Sequence, residues 1–72
     1  MEINKKIGKK MLMKRKELGY AQEEFAHEIG MSPCHYGKIE RGEANASVYS
    51  LKRIADGFGM KPYELLMFDD ID

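Results

Sequence analysis

The chain has one cysteine in 72 residues, no net charge, and no apolar run that approaches the roughly 18 residues of a membrane span. Each absence removes a class of protein. The lone Cys34 excludes an internal disulfide and a zinc site built from several cysteines. The basic start is not followed by the apolar stretch of an export signal, so a cytoplasmic location is expected. There is no nucleophile–base pair at a recognised spacing, no metal-ligand set and no phosphate-binding loop, so neither an enzyme nor a cofactor is expected. Strand-like alternation, repeats and low-complexity segments are missing too. What remains is one domain, residues 1–72, whose small core stabilises by only about a few kcal/mol and would gain from self-association.

Twelve basic residues balance twelve acidic ones, but they are unevenly placed. Residues 1–18 carry seven basic side chains (Lys5, Lys6, Lys9, Lys10, Lys14, Arg15 and Lys16) against Glu2 and Glu17. Residues 44–72 carry Lys52, Arg53 and Lys61 against Asp56, Glu64, Asp69, Asp70 and Asp72. The chain is therefore a charge dipole. Two readings stay open: a solvated helix face, or a basic face turned toward a polyanion with an acidic tail directed away from it.

The recurring pattern is helical, and five helices are predicted. The first runs from Asn4 as N-cap to Leu18, with Gly19 as C-cap and with Ile7, Met11 and Leu18 inward. The second runs from Gln22 to Ile29 and buries Phe25, Ala26 and Ile29; Ala21 supplies no capping hydroxyl, although Glu24 occupies the N3 place of a capping box. The third has Ser32 as N-cap and Pro33 at N1, buries Tyr36 and Ile39, and ends near Arg41. The fourth starts at Ser47 and buries Val48, Leu51, Ile54, Ala55 and Phe58. The fifth starts at Pro62 and presents Leu65 and Leu66. Met11, Met31 and Met60 read as fillers of core gaps. The fold class is all-α, with a core from residue 7 to residue 66. Residues 22–41 form two short helices broken at Gly30, the helix-turn-helix unit, whose second helix lies in the DNA major groove.

Arg15-x-x-x-Gly19, Gln22, Ala26, Gly30, Ser32, Ile39-Glu40-x-Gly42, Ser47, Leu51, Ala55 and Leu65 form an ordered set over residues 7–66. In this set the chain resembles the Cro/CI-type, or XRE-type, helix-turn-helix domain of phage repressors and bacterial regulators. The loop Gly42-Glu43-Ala44-Asn45-Ala46-Ser47 is also similar to that of controller proteins from restriction–modification operons. The resemblance implies a compact five-helix lambda-repressor-like domain and a Gln22 that clamps a phosphate beside the free amides of its helix end. It also implies an ion pair between Arg15 and Glu40 that holds the recognition helix in place. Pro33 and Cys34 depart from the family pattern, since they replace residues that often read base edges with side chains of little or no donor capacity. Gly37 sits inside the recognition helix at a cost of about 1 kcal/mol relative to Ala. It either lets the backbone approach DNA closely or is a tolerated glycine.

DNA binding needs phosphate contacts that position and base contacts that specify. Candidates for the first are Gln22, Arg41, Asn45, Lys9 and Lys10. Candidates for the second are Lys38, His35 and Cys34 on the exposed face of the third helix, with Lys38 the leading choice because its amine can donate to guanine O6 and N7. A phosphate contact is the competing role for Lys38. Cys34 is either a spacer or a redox switch on the DNA face. His35 has no ligand-spaced partner, so no metal site is expected.

The expected function is sequence-specific binding of double-stranded DNA by a homodimeric transcriptional regulator acting on an inverted repeat. The apolar end, with Leu65, Leu66 and Phe68 at its centre, is expected to make the dimer contact. The alternative is an antitoxin-like protein or anti-regulator whose helix-turn-helix domain grips a protein partner through that same end.

Overall fold

The computed structural model describes residues 2–67. They form α1 (Ile3–Glu17), α2 (Gln22–Glu28), α3 (Pro33–Glu40), α4 (Val48–Phe58) and a 3-10 helix (Pro62–Leu66), with no strand among the described residues. The all-α class holds, but the fifth helix is a single 3-10 segment and not an α-helix. Pro62 opens it, and the Lys61 amide donates to Glu64 Oε1 at 2.6 Å.

The α-helices stop in the same way, and the turn between α2 and α3 illustrates it. Gly30 has φ +69°, a left-handed conformation that costs glycine nothing. From there the Gly30 amide donates to the His27 carbonyl at 3.1 Å and the Met31 amide to the Ala26 carbonyl at 2.8 Å, which satisfies two carbonyls the helix end would leave open. Two residues later Ser32 Oγ accepts from the His35 amide and Pro33 occupies the first turn, so α3 starts at once. Ser47 caps α4 likewise, accepting from the Ser50 amide at 3.0 Å. Ala21 offers α2 no side-chain cap, and Glu24 Oε1 accepts from the Ala21 amide at 3.0 Å instead.

Phe25 is the centre of the core. It stacks on Phe58 with ring centroids 4.3 Å apart and meets Tyr20 and Tyr36 edge-on at 5.3 and 5.4 Å. Ile7, Met11, Ala26, Ile39, Ile54, Ala55 and Leu65 complete the buried cluster, with Met31 and Met60 packed at its edge. Three apolar placements differ from expectation. Leu18 is the C-cap residue of α1 and 47% exposed, because the helix has ended before it reaches the core. Val48 is 82% exposed at the first turn of α4, where no neighbouring element covers it. Leu66 is exposed, while Leu65 is fully buried. Asn4 is not the N-cap either: Glu2 takes that place, and the Asn4 side-chain amide donates to Asn45 Oδ1.

α1 crosses the carboxyl end of α3 at Gly8. A Cβ at that position would lie 2.1 Å from the Glu40 carbonyl oxygen and 2.9 Å from that of Ile39, so the two backbones touch. No other residue allows this crossing, and it fixes the recognition helix against the rest of the domain.

Candidate nucleic-acid interface

A buried polar cluster sits beneath the α1–α3 crossing. Arg15 donates to Glu40 through Nε (2.9 Å) and Nη2 (3.1 Å), and through Nη1 to the Tyr20 carbonyl (2.8 Å). Gln22 Nε2 donates to Glu40 Oε1 at 3.0 Å. The Arg15 and Glu40 side chains are only 12% and 5% exposed, so this is a two-point ion pair largely out of water. Burial works against the Glu40 charge, but hydrogen bonds from Arg15 and Gln22 outweigh it and hold the carboxyl below its ordinary range. The hydrogen bond to Glu40 likewise raises the Arg15 guanidinium. The Tyr36 hydroxyl is buried beside this pair with no hydrogen-bond partner among the described residues, and burial followed by the nearby carboxylate pushes its ionisation far above the ordinary phenol range. One carboxylate thus ties together α1, the start of α2 and the end of α3.

What this cluster holds in place is a polar face. Cys34, His35, Lys38 and Arg41 are all exposed on α3, with Cys34, Lys38 and Arg41 four and three residues apart along one stripe. Arg41 closes the stripe as the C-cap residue and donates to Glu43 through Nε at 3.0 Å. Asn45 is exposed in the following loop and joined to Asn4. Gln22 is half-buried, with one amide hydrogen directed at Glu40 and a second left for another acceptor.

The two lysines expected to support this face from α1 diverge, because neighbouring helical residues lie about 100° apart. Lys9 is exposed next to the Gly8 crossing. Lys10 lines a groove on another side of α1 together with Met13, Met60, Glu64 and Met67. Lys5 was not among the expected residues, yet its stem packs on Gly42 at the end of α3. The signal for it was its i, i+4 spacing from Lys9, one turn before the crossing. Gly8 gave no sign of its role in the sequence, since nothing local marks a glycine that faces another backbone. Of the expected dimer residues, Leu65 lies in the chain's own core and offers no surface to a second copy. Leu66 is exposed, and Phe68 lies outside the described residues.

Among the described residues no helix is long and apolar enough to cross a membrane, and no group of His, Cys, Asp or Glu could hold a metal ion. A short helix, a glycine turn and a second helix with an exposed polar stripe define a helix-turn-helix DNA-binding domain. Residues 11–65 match the helix-turn-helix family model, and the chain belongs to that family, in its XRE-type branch: it is a DNA-binding transcriptional regulator. It is similar to control protein C.MunI from a Mycoplasma species, with 36% identity over 72 residues that cover 99% of this chain and 95% of the relative. Among solved structures it resembles the restriction–modification controller protein C.AhdI from Aeromonas hydrophila, with a TM-score of 0.82, 29% identity and coverage of 86% of this chain and 94% of that one. A hypothetical transcription factor from Neisseria, NHTF, shares the fold with a TM-score of 0.89 at 24% identity, over 94% of this chain and 78% of its own.

Proposed function

We propose that this protein is a controller-type regulator that binds an inverted-repeat operator in double-stranded DNA as a homodimer. The observation that carries the reading is the exposed Cys34–His35–Lys38–Arg41 stripe on a helix anchored by the buried Arg15–Glu40–Gln22 cluster. A helix this firmly held, with its polar side outward, suits insertion into the major groove. Lys38 reads a base edge, His35 assists, and Cys34 serves as a spacer. Gln22, Arg41, Asn45 and Lys9 contact phosphates, and Lys5 joins them from α1. The controller relatives support a restriction–modification operon as the regulated target.

Exposed Tyr63, Leu66 and Met67, with Met13 across the groove on α1, give the dimer its apolar contact. Two-fold symmetry then sets half-sites about one helical turn apart. Binding-site selection from random duplex DNA tests the proposal as a whole. The expected product is a single inverted repeat with that spacing, bound by two copies of the chain. Recovery of unrelated sequences, or of a lone half-site bound by one copy, would count against it. Copurification with a different chain that covers the apolar end would favour the protein-partner alternative.

A further inference from the structure

Gly37 lies in the middle of the recognition helix, yet it is buried. What covers it is specific. A Cβ added there would meet Arg41 Nη1 at 2.9 Å, Gln22 Oε1 at 3.1 Å and Gln22 Cδ at 3.5 Å. Two side chains from different helices therefore converge on one spot of α3, and the spot is open to them only because it has no side chain. The far edge of the same guanidinium is held by Glu43, and Gln22 is held from behind by Glu40.

We infer that Gly37 is a positioning residue for DNA binding: its bare backbone is the seat on which Arg41 and Gln22 come together as one phosphate clamp. The inference rests on the proposed DNA-binding function and adds to it that the two residues act as a unit. The Gln22 atom at the seat is Oε1, which accepts, so a phosphate takes its hydrogen bonds from Arg41 Nη1 and from the one Nε2 hydrogen of Gln22 that Glu40 leaves over. Glu40 holds one hydrogen of the Gln22 amide and Glu43 holds the Nε edge of the Arg41 guanidinium, which leaves Arg41 Nη1 and the second amide hydrogen for the phosphate.

The seat makes an unusual demand on stability and affinity, because they should move in opposite directions. The nearest atom in the way of a Gly37→Ala methyl is Nη1 of the exposed Arg41, which can shift at little cost to the fold, while Gln22 Oε1 need give by only a few tenths of an ångström and can keep its bond to Glu40. Alanine is also the better helix former, so Gly37→Ala should raise the Tm by about 4 °C. Displacing Arg41 and Gln22 should meanwhile weaken binding to the selected operator and to random duplex alike, about tenfold, and flatten the salt dependence by about one unit per protomer. Gly37→Ala introduced into an Arg41→Ala, Gln22→Ala background should cause no further loss, since nothing is left to displace.

The experiment measures Tm, affinity for both duplexes and salt slope for the wild type, Gly37→Ala, the double variant and the triple variant. Opposite shifts in Tm and affinity, with the affinity loss absent in the triple variant, support the seat. Unchanged affinity in Gly37→Ala overturns it. A loss that persists in full in the triple variant also overturns it and assigns Gly37 to direct backbone approach to DNA. A lower Tm overturns it as well, because the methyl would then be meeting something other than two movable side chains. A wild-type chain that binds no duplex at all overturns both this inference and the proposed function, whereas the other failures leave the function standing.

Discussion

Arg15→Ala removes three hydrogen bonds at once, two to Glu40 and one to the Tyr20 carbonyl, and leaves the Glu40 carboxylate 5% exposed with Gln22 as its remaining donor. Breaking a buried pair from one side costs about 3 kcal/mol or more, because the surviving charge has no counterpart. For a domain of this size each kcal/mol corresponds to about 4–8 °C, so the Tm at pH 7 should fall by about 12 °C or more. The pH dependence carries a second signature. In the wild type the Glu40 carboxyl is held below its ordinary range, so it contributes stability at neutral pH that is lost as pH falls through its folded value. Without Arg15 the largest of the influences that lower the Glu40 carboxyl is gone, so the variant should lose less stability than the wild type on acidification from about pH 7 to about pH 4. Circular-dichroism melts of wild type and Arg15→Ala across this range read both effects. Wild-type melting at pH 7 together with lost DNA binding would refute the reasoning and make Arg15 a direct DNA contact.

Gly8→Ala places a methyl against the Glu40 and Ile39 carbonyl oxygens, which are backbone and cannot step aside, so overpacking of about 3 kcal/mol is expected. A melt within 2 °C of wild type would show that α1 and α3 are less tightly crossed. Glu40→Gln should flatten the loss of stability below about pH 4.5, since the depressed carboxyl supplies it; an unchanged acid limb in denaturant titrations would assign that loss to other groups. Phosphate contacts release counterions, so log K against log salt should fall with a slope of about −5 to −9 for a dimer. A salt-independent affinity would remove the electrostatic part of the account.

The helix-turn-helix unit was legible because its signals are local. Gly30 marks a left-handed stop, and Ser32 with Pro33 marks an immediate restart, each recognisable without knowing what the helices pack against. Phe25, Tyr36, Ile39 and Ile54 were legible because residues in mid-helix inherit the period of their neighbours. Leu18 and Val48 were misplaced for the complementary reason: they sit at helix ends, where the period continues but the packing partner does not. The roles of Gly8 and Gly37 depend on which segment crosses above them, and that is tertiary information. The polar stripe of α3 could be read from helical spacing, while the divergence of Lys9 from Lys10 and the approach of Lys5 to Gly42 required the α1–α3 crossing.

The central claim is that the exposed stripe of α3 reads sequence, and Lys38 is its most exacting test. Affinities of wild type, Lys38→Ala and Arg41→Ala should be measured on the selected operator and on a scrambled duplex at one salt concentration. Lys38→Ala should lose about 1–3 kcal/mol on the operator and much less on the scrambled duplex, and relax the preference at one position in each half-site. Arg41→Ala should weaken both duplexes to a similar degree, since phosphates carry no sequence. Equal losses on the two duplexes for Lys38→Ala would make it a phosphate contact and contradict the claim.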